Sequence, residues 1–320
     1  MRKIAIIALV LTGLAGSSMG YAEDYPTRSI RLIVGFPPGS AADLTARLLG
    51  EQMSKTLGQQ LVVETHPGAS SSIAATTVTH ASPDGYTLYI GTSTNVSDAV
   101  TNPNLHFDFS KDFAPIAPLT ALPLVLAVNS SLGVSDFDGL IALARSKPGA
   151  LTYASVGRGS VPELACELIS IREHVKLVHV PYPGSPQAVT DLLAGRVSMM
   201  LGVASTIMPF VKSGRLKALA VSSAKRSRIA PNLPTIAELG VPDFDATVWF
   251  GLMAPAGTPR PIIDKLAAAA NAALKSPQVV SKLAAAEFEP LGGSPEEFAA
   301  FIARETAKWR MVAEATGLAK

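Results

Sequence analysis

Cysteine is all but missing from this chain: 320 residues hold one, Cys166. No intrachain disulfide can form, and no thiolate cluster can hold zinc. Cys166 sits in "VPELACELI", whose apolar spacing is helical, and reads as a buried structural thiol rather than a nucleophile. Charge is sparse as well. Charged residues make up 16% and the net charge is +2, with both signs scattered. Without a basic stripe, nucleic acid is excluded as a partner class. The five histidines, His66, His80, His106, His174 and His179, lack metal-ligand spacing, so no metal is expected. No G-x-G-x-x-G follows a strand ("SVGRGS" has only G-x-G) and no G-K-[ST] exists, so no nucleotide cofactor is expected. There is no G-x-S-x-G elbow, and no catalytic residue is assigned.

What is present is a soluble globular composition, with 48% apolar residues and length enough for two domains. Arg2 and Lys3 precede a short apolar run over 4–14, and the small residues Gly20 and Ala22 precede a cut after Ala22. Residues 1–22 read as an export signal, too short to span a bilayer. No cysteine flanks the cut, so the mature chain is not a lipoprotein. Residues 113–135 carry no charge, but Pro115, Pro118 and Pro123 interrupt them. They read as two strands with a proline joint, not as a membrane span.

Strand-like and helix-like segments then alternate. "SIRLIVGF", "QLVVE", "YTLYIG", "LVLAV", "LTYAS", "KLVHV", "VSMML", "LKALAV" and "ATVWFGLMA" read as strands. Helices are expected over 41–56, 70–80 and 136–145, from about 161 and 186, near 207, and over most of 259–318. The alternation implies an α/β fold with parallel sheets. Helix starts carry cap signals: Ser40 with Asp43 three residues on, Ser135, Thr258 before Pro259, and Ser294 before Pro295. Asp43 and Arg47 read as a structural helix pair, and Trp249 and Trp309 as core or domain-contact residues.

Four stretches rich in Gly, Ser and Thr join a strand to a helix: 35–40, 68–72, 91–95 and 155–160. Backbone N–H groups at a helix start lack intrahelical partners and, with the helix dipole, suit an anion. In open α/β sheets such loops lie where ligands bind. With no nucleotide motif, a small carboxylate fits better than a phosphate.

The chain resembles the Bug family of periplasmic solute receptors, the binding components of tripartite tricarboxylate transporters. The resemblance runs from "YPTRSIRLIVGFPPGSAAD" to "FIARETAKWRMVAEATG". Between them lie "ASPDGYTLYIG", "DFAPIAPL", "KPGALTYASVGRGS", "HVPYPGSPQAVTDLLAGRV", "LKALAVSSAKRS", "PTIAELG" and "WFGLMAPAGTP". It implies a type II periplasmic-binding-protein fold: two α/β domains, 23–123 plus 245–320 and 124–244, with a ligand cleft and two chain crossings near 122–124 and 244. It implies a periplasmic protein that captures a small organic acid by domain closure, a mono- or dicarboxylate, aromatic acids included. Membrane permease subunits are the implied partners, and a monomer the implied state. The residues it assigns to the ligand are Phe36, Pro38, Gly39, Ser40, Ala41 and Asp43 on the first domain, with Ser93 and Thr94. On the second they are Ser155, Gly159, Ser160 and Val161, with Tyr182 and Gly184. Two alternatives stand beside this: a carboxylate sensor feeding a signalling partner, and a secreted serine hydrolase using Ser160 with His179.

The sequence departs from the family pattern in places. Glycines common in the second loop become Ser70, Ser71 and Ser72; a usual histidine becomes Glu163; and Ser198 and Gly202 stand where acids are frequent. The missing acids count against an ammonium-bearing ligand, and Glu163 reads as a complement to its helix dipole.

Overall fold

In β1 (Ile30–Val34) only Arg31 is exposed, and in β3 (Thr87–Thr92) every residue is buried. Strands covered on both faces belong inside a parallel sheet flanked by helices. The computed structural model, which describes residues 25–319, pairs β1 and β3 in parallel within a sheet flanked by helices. The export signal expected over 1–22 lies outside the described residues.

β1 pairs in parallel with β3 and with β2 (Leu61–Thr65). β9 (Thr247–Pro255) is antiparallel to β3 and to the first part of β4 (Phe113–Asn129), where the short β10 (Glu289–Pro290) also pairs. The first sheet therefore runs β2–β1–β3–β9–β4–β10. In the second sheet, β5 (Thr152–Ser155) is parallel to β6 (Val178–Pro181) and β7 (Met199–Val203). The end of β4 is antiparallel to both β7 and β8 (Leu216–Val221). The two lobes thus share one pattern, β2–β1–β3–β9 and β6–β5–β7–β4, and belong to a type II periplasmic-binding-protein architecture.

Two expectations need correction. The sheets are mixed rather than parallel, because the strands that link the lobes, β4 and β9, run against their neighbours. The segment expected as two strands is one strand of 17 residues. Its prolines are absorbed where a missing N–H costs least. The register with β9 slips just after Pro115 and again after Pro118, and Pro123 is the last residue paired with β9. The next residue, Leu124, pairs with Val203 of β7.

These directions aim the helix starts at one place. β4 runs with β3 in the first sheet and against β7 in the second. The carboxyl ends of β1 and β3 therefore point toward the second lobe, and those of β5 and β7 toward the first. The helices that follow them begin at the waist: α1 (Ala41–Leu57), α3 (Ser93–Thr101), α5 (Val161–Glu173) and α7 (Ala204–Lys212).

The caps are partly as expected. Ser40 Oγ accepts from Asp43 N at 3.3 Å. Ser294 and Glu297 form a reciprocal box at the start of α10 (Pro295–Thr316). Asp136, not Ser135, caps α4 (Phe137–Ser146) by accepting from Gly139 N at 2.8 Å. Thr258 donates its hydroxyl to Pro255 O, leaving Pro259 at the N-cap of α8 (Arg260–Leu274). α10 joins the lobes from behind: Ile302, Trp309 and Val312 share a core with Val96 and Val100 of α3 and Leu164 and Leu168 of α5. Trp249, Trp309 and Cys166 are all fully buried.

One hydroxyl ties both chain crossings. Ser222, fully buried, accepts from Leu124 N at 2.9 Å and donates to Ala246 O at 2.6 Å. Ser222→Ala leaves a buried amide and carbonyl each one partner short. It is expected to cost about 1–3 kcal/mol, read as a lower midpoint in urea unfolding with an unchanged slope.

Candidate ligand-binding site

The start of α1 is held by its own acid. Asp43 Oδ2 accepts from Gly39 N at 2.9 Å and from Arg47 Nε at 3.0 Å, and Arg47 reaches Oδ1 at 2.9 Å. Burial pushes the Asp43 carboxyl up, but the Arg47 guanidinium and the Gly39 amide outweigh it and hold the group below its ordinary value. So the Gly39 amide is already taken within the chain. Phe36 is half-buried against the first lobe's core, while Pro38 and Gly39 are exposed. Ala41 and Ser40 are half-buried at the helix start.

The start of α3 lies beside it through a buried polar chain. Gly35 has no Cβ because one would fall 1.7 Å from Ser71 Oγ. That hydroxyl is 2.7 Å from Tyr89 Oη, which donates to Asn95 Oδ1 at 3.0 Å. Asn95 Oδ1 also accepts from Thr92 N and Thr92 Oγ1. Three acceptances fix the amide orientation, so Asn95 Nδ2 is a donor, and it has no partner among the described residues. Ser93, fully buried, likewise has a hydroxyl without a partner. Thr94 is half-buried at the same tip. The expected loop over 91–95 is not a loop: β3 runs to Thr92 and α3 begins at Ser93.

Bringing Ser71 under Gly35 strains the backbone. Ala69, Ser70 and Ser71 have φ of 45°, 52° and 78°, a left-handed run without glycine. Such residues cost on the order of 1–3 kcal/mol each and collect at functional sites.

In the second lobe the loop after β5 closes on itself. Ser155 Oγ donates to Gly157 O at 3.0 Å and accepts from Gly157 N at 3.1 Å. It is also hydrogen-bonded to His179 Nε2 at 2.6 Å. His179 Nδ1 lies 2.8 Å from Glu163 Oε1, and Glu163 Oε2 accepts from Gly159 N at 2.5 Å. Tyr153 stacks on the imidazole with centroids 4.9 Å apart. Gly159 has φ +72°, and a Cβ there would sit 2.8 Å from Thr101 Oγ1 at the end of α3, so this loop touches the other lobe. Val161 faces the core.

Other expected residues are engaged elsewhere. Ser160 Oγ donates to Gly157 O at 2.6 Å, so the serine beside His179 is Ser155, not Ser160. A serine–imidazole–carboxylate line does form, but Ser155 is fully buried and bonded into its own turn, with no open face for an acyl carbon. Tyr182 donates to Asp191 Oδ2 at 2.7 Å, on α6 (Ser185–Leu193), and Gly184 is the extended residue just before that helix. Sequence reasoning missed Ser71, Tyr89 and Asn95 as one group, and the Glu163–His179 contact. The serines replacing glycines and the acid at 163 were the available signals.

Two lobes of matching strand order, joined by two crossings and with helix starts aimed at one waist, define a solute-binding receptor. Residues 45–318 match the tripartite tricarboxylate transporter family receptor. The chain is similar to Protein BugT of Bordetella pertussis, 35% identical over 318 residues, 99% of this chain and 98% of that one. Among solved structures it resembles an R. palustris protein with adipate: 36% identity, TM-score 0.77, covering 92% of this chain and 99% of that one. It also resembles MatC from Rhodopseudomonas palustris with bound malate: 32% identity, TM-score 0.73, covering 90% and 99%. The chain belongs to this family of periplasmic receptors, whose members bind solutes rather than transform them.

One acid near the site gives a pH-dependent prediction. Burial pushes the Asp98 carboxyl of α3 up to about 6, and its Oδ2 has no partner among the described residues. An unfolded Asp titrates near 4. Between these values rising pH ionises the unfolded chain first, so stability falls as pH climbs from about 4 to about 6. Asp98→Asn is expected to melt higher than the parent above pH about 6, with the gap closing toward pH about 4. Melting temperature measured across that range checks it.

Proposed function

We propose that this protein captures a small organic carboxylate at the waist and delivers it to a tripartite tricarboxylate-type permease. The observation that carries the reading is the donor set at the start of α3. Ser93 Oγ and Asn95 Nδ2 are buried and without a partner among the described residues, beside first-turn amides that no helix carbonyl reaches. Buried donors in such a place suit an anion. The relatives solved with adipate and malate support the same ligand class.

In this reading the amides of Ala41, Ala42, Ser93 and Thr94 receive carboxylate oxygens, Ser93 and Asn95 add side-chain bonds, and Phe36 and Pro38 shape the wall. Gly39 and Gly159 serve as fixed points of their loops, since their amides are already taken. Ser160, Tyr182 and Gly184 form the facing wall, and buried Ser155, Gly159 and Val161 support it from behind. The lobes, 23–123 plus 245–320 and 124–244, close about the segments near 123 and 245. The secreted form begins after Ala22 and acts as a monomer.

A thermal-shift screen of mono- and dicarboxylates, hydroxy acids and aromatic acids tests the class. Stabilisation by at least one acid set and by no sugar supports it, and shifts from sugars alone overturn it. Ser93→Ala is expected to weaken the best acid by about 1–2 kcal/mol, roughly five- to thirtyfold in Kd by calorimetry.

A further inference from the structure

The two lobes do not offer a ligand the same chemistry. The first keeps donors at α3 that have no partner among the described residues, and the charge of Asp43 at α1 is offset by Arg47. The second already holds a carboxylate of the chain at the start of α5. Glu163, 3% exposed in its side chain, takes the Gly159 amide with one oxygen and faces His179 Nδ1 with the other. Pro162, the next helical position, has no N–H to give. Both hydroxyls of the loop are engaged, Ser155 with His179 and Gly157, Ser160 with Gly157. Arg158 is the one cation of this loop; it is exposed and forms no ion pair among the described residues.

We infer that Glu163 is a specificity-determining residue that restricts the ligand to a monocarboxylate. The ligand's one carboxylate sits on the first lobe, and an uncharged end, a hydroxyl, carbonyl or ring, meets the second. This rests on the carboxylate reading above and narrows it. A second carboxylate reaching the start of α5 finds the Gly159 amide that would bind it already occupied by the Glu163 carboxylate. Desolvating that second charge without partners is costly, whereas an uncharged end loses little.

The test is calorimetry at neutral pH with acids paired by skeleton: hexanoate with adipate, butanoate with succinate, benzoate with terephthalate. In the pair that binds best, the parent protein is expected to favour the monoacid by about tenfold or more. Glu163→Gln keeps an acceptor for the Gly159 amide and removes the charge. It is expected to tighten the diacid by about tenfold while the monoacid stays within about threefold. A diacid bound by the parent as tightly as its monoacid overturns the inference and leaves the carboxylate reading standing. If Arg158→Ala abolishes that diacid binding, Arg158 is the partner of the second carboxylate and the exclusion assigned to Glu163 is overturned. Failure of every acid to bind overturns both readings. The comparison within the parent protein needs no substitution, so a poorly folding variant does not shield the inference.

Discussion

A helix begins with backbone N–H groups that none of its own carbonyls can reach, and this molecule gathers several such beginnings at one waist. The constraint is general; the gathering comes from strand direction. Because β4 runs with β3 below the waist and against β7 above it, helices of both lobes start on the facing edges. Each lobe then needs something to satisfy those donors. At α1 and at α5 the same device appears, an acid four residues along that turns back to the loop glycine. The partners of those acids differ: a guanidinium in one lobe, an imidazole in the other. At α3 the side chain that turns back is an uncharged amide, Asn95, which accepts from Thr92 N, while its Nδ2 and Ser93 Oγ have no partner among the described residues.

The support behind the open donors is rigid. Ser71, Tyr89, Asn95 and Thr92 form a buried chain of hydrogen bonds linking the loops after β1 and β3. Preorganised donors are the ones that bind well, because little ordering remains to be done on binding. The left-handed backbone at 69–71 is the local strain accepted for this placement.

Much of the fold could be read in the sequence, because alternating apolar periods and cap residues are local signals. Ser40 and Ser294 stand where their spacing put them. Strand direction is not local: nothing in "ATVWFGLMA" tells whether its neighbours run with or against it. The continuous β4 was hidden because three prolines suggest breaks, and only pairing shows that bulges absorb them. The helix α3 went unread because "STNVSDAVT" is short, polar and starts without a loop. Loop composition and family resemblance together pointed to the waist. They could not show that Glu163 and His179, distant in sequence, meet, or that Gly39 and Gly159 are already bonded.

The single thiol has a use that its chemistry alone does not suggest. Cys166 lies fully buried on α5, packed in the core shared with α10, and burial pushes its thiol well above the ordinary cysteine range. An alkylating reagent meets it only when that core opens. With no competing cysteine in the chain, the rate of labelling at this one sulfur clocks the opening of the second lobe's interior, separately from any motion that merely widens the cleft.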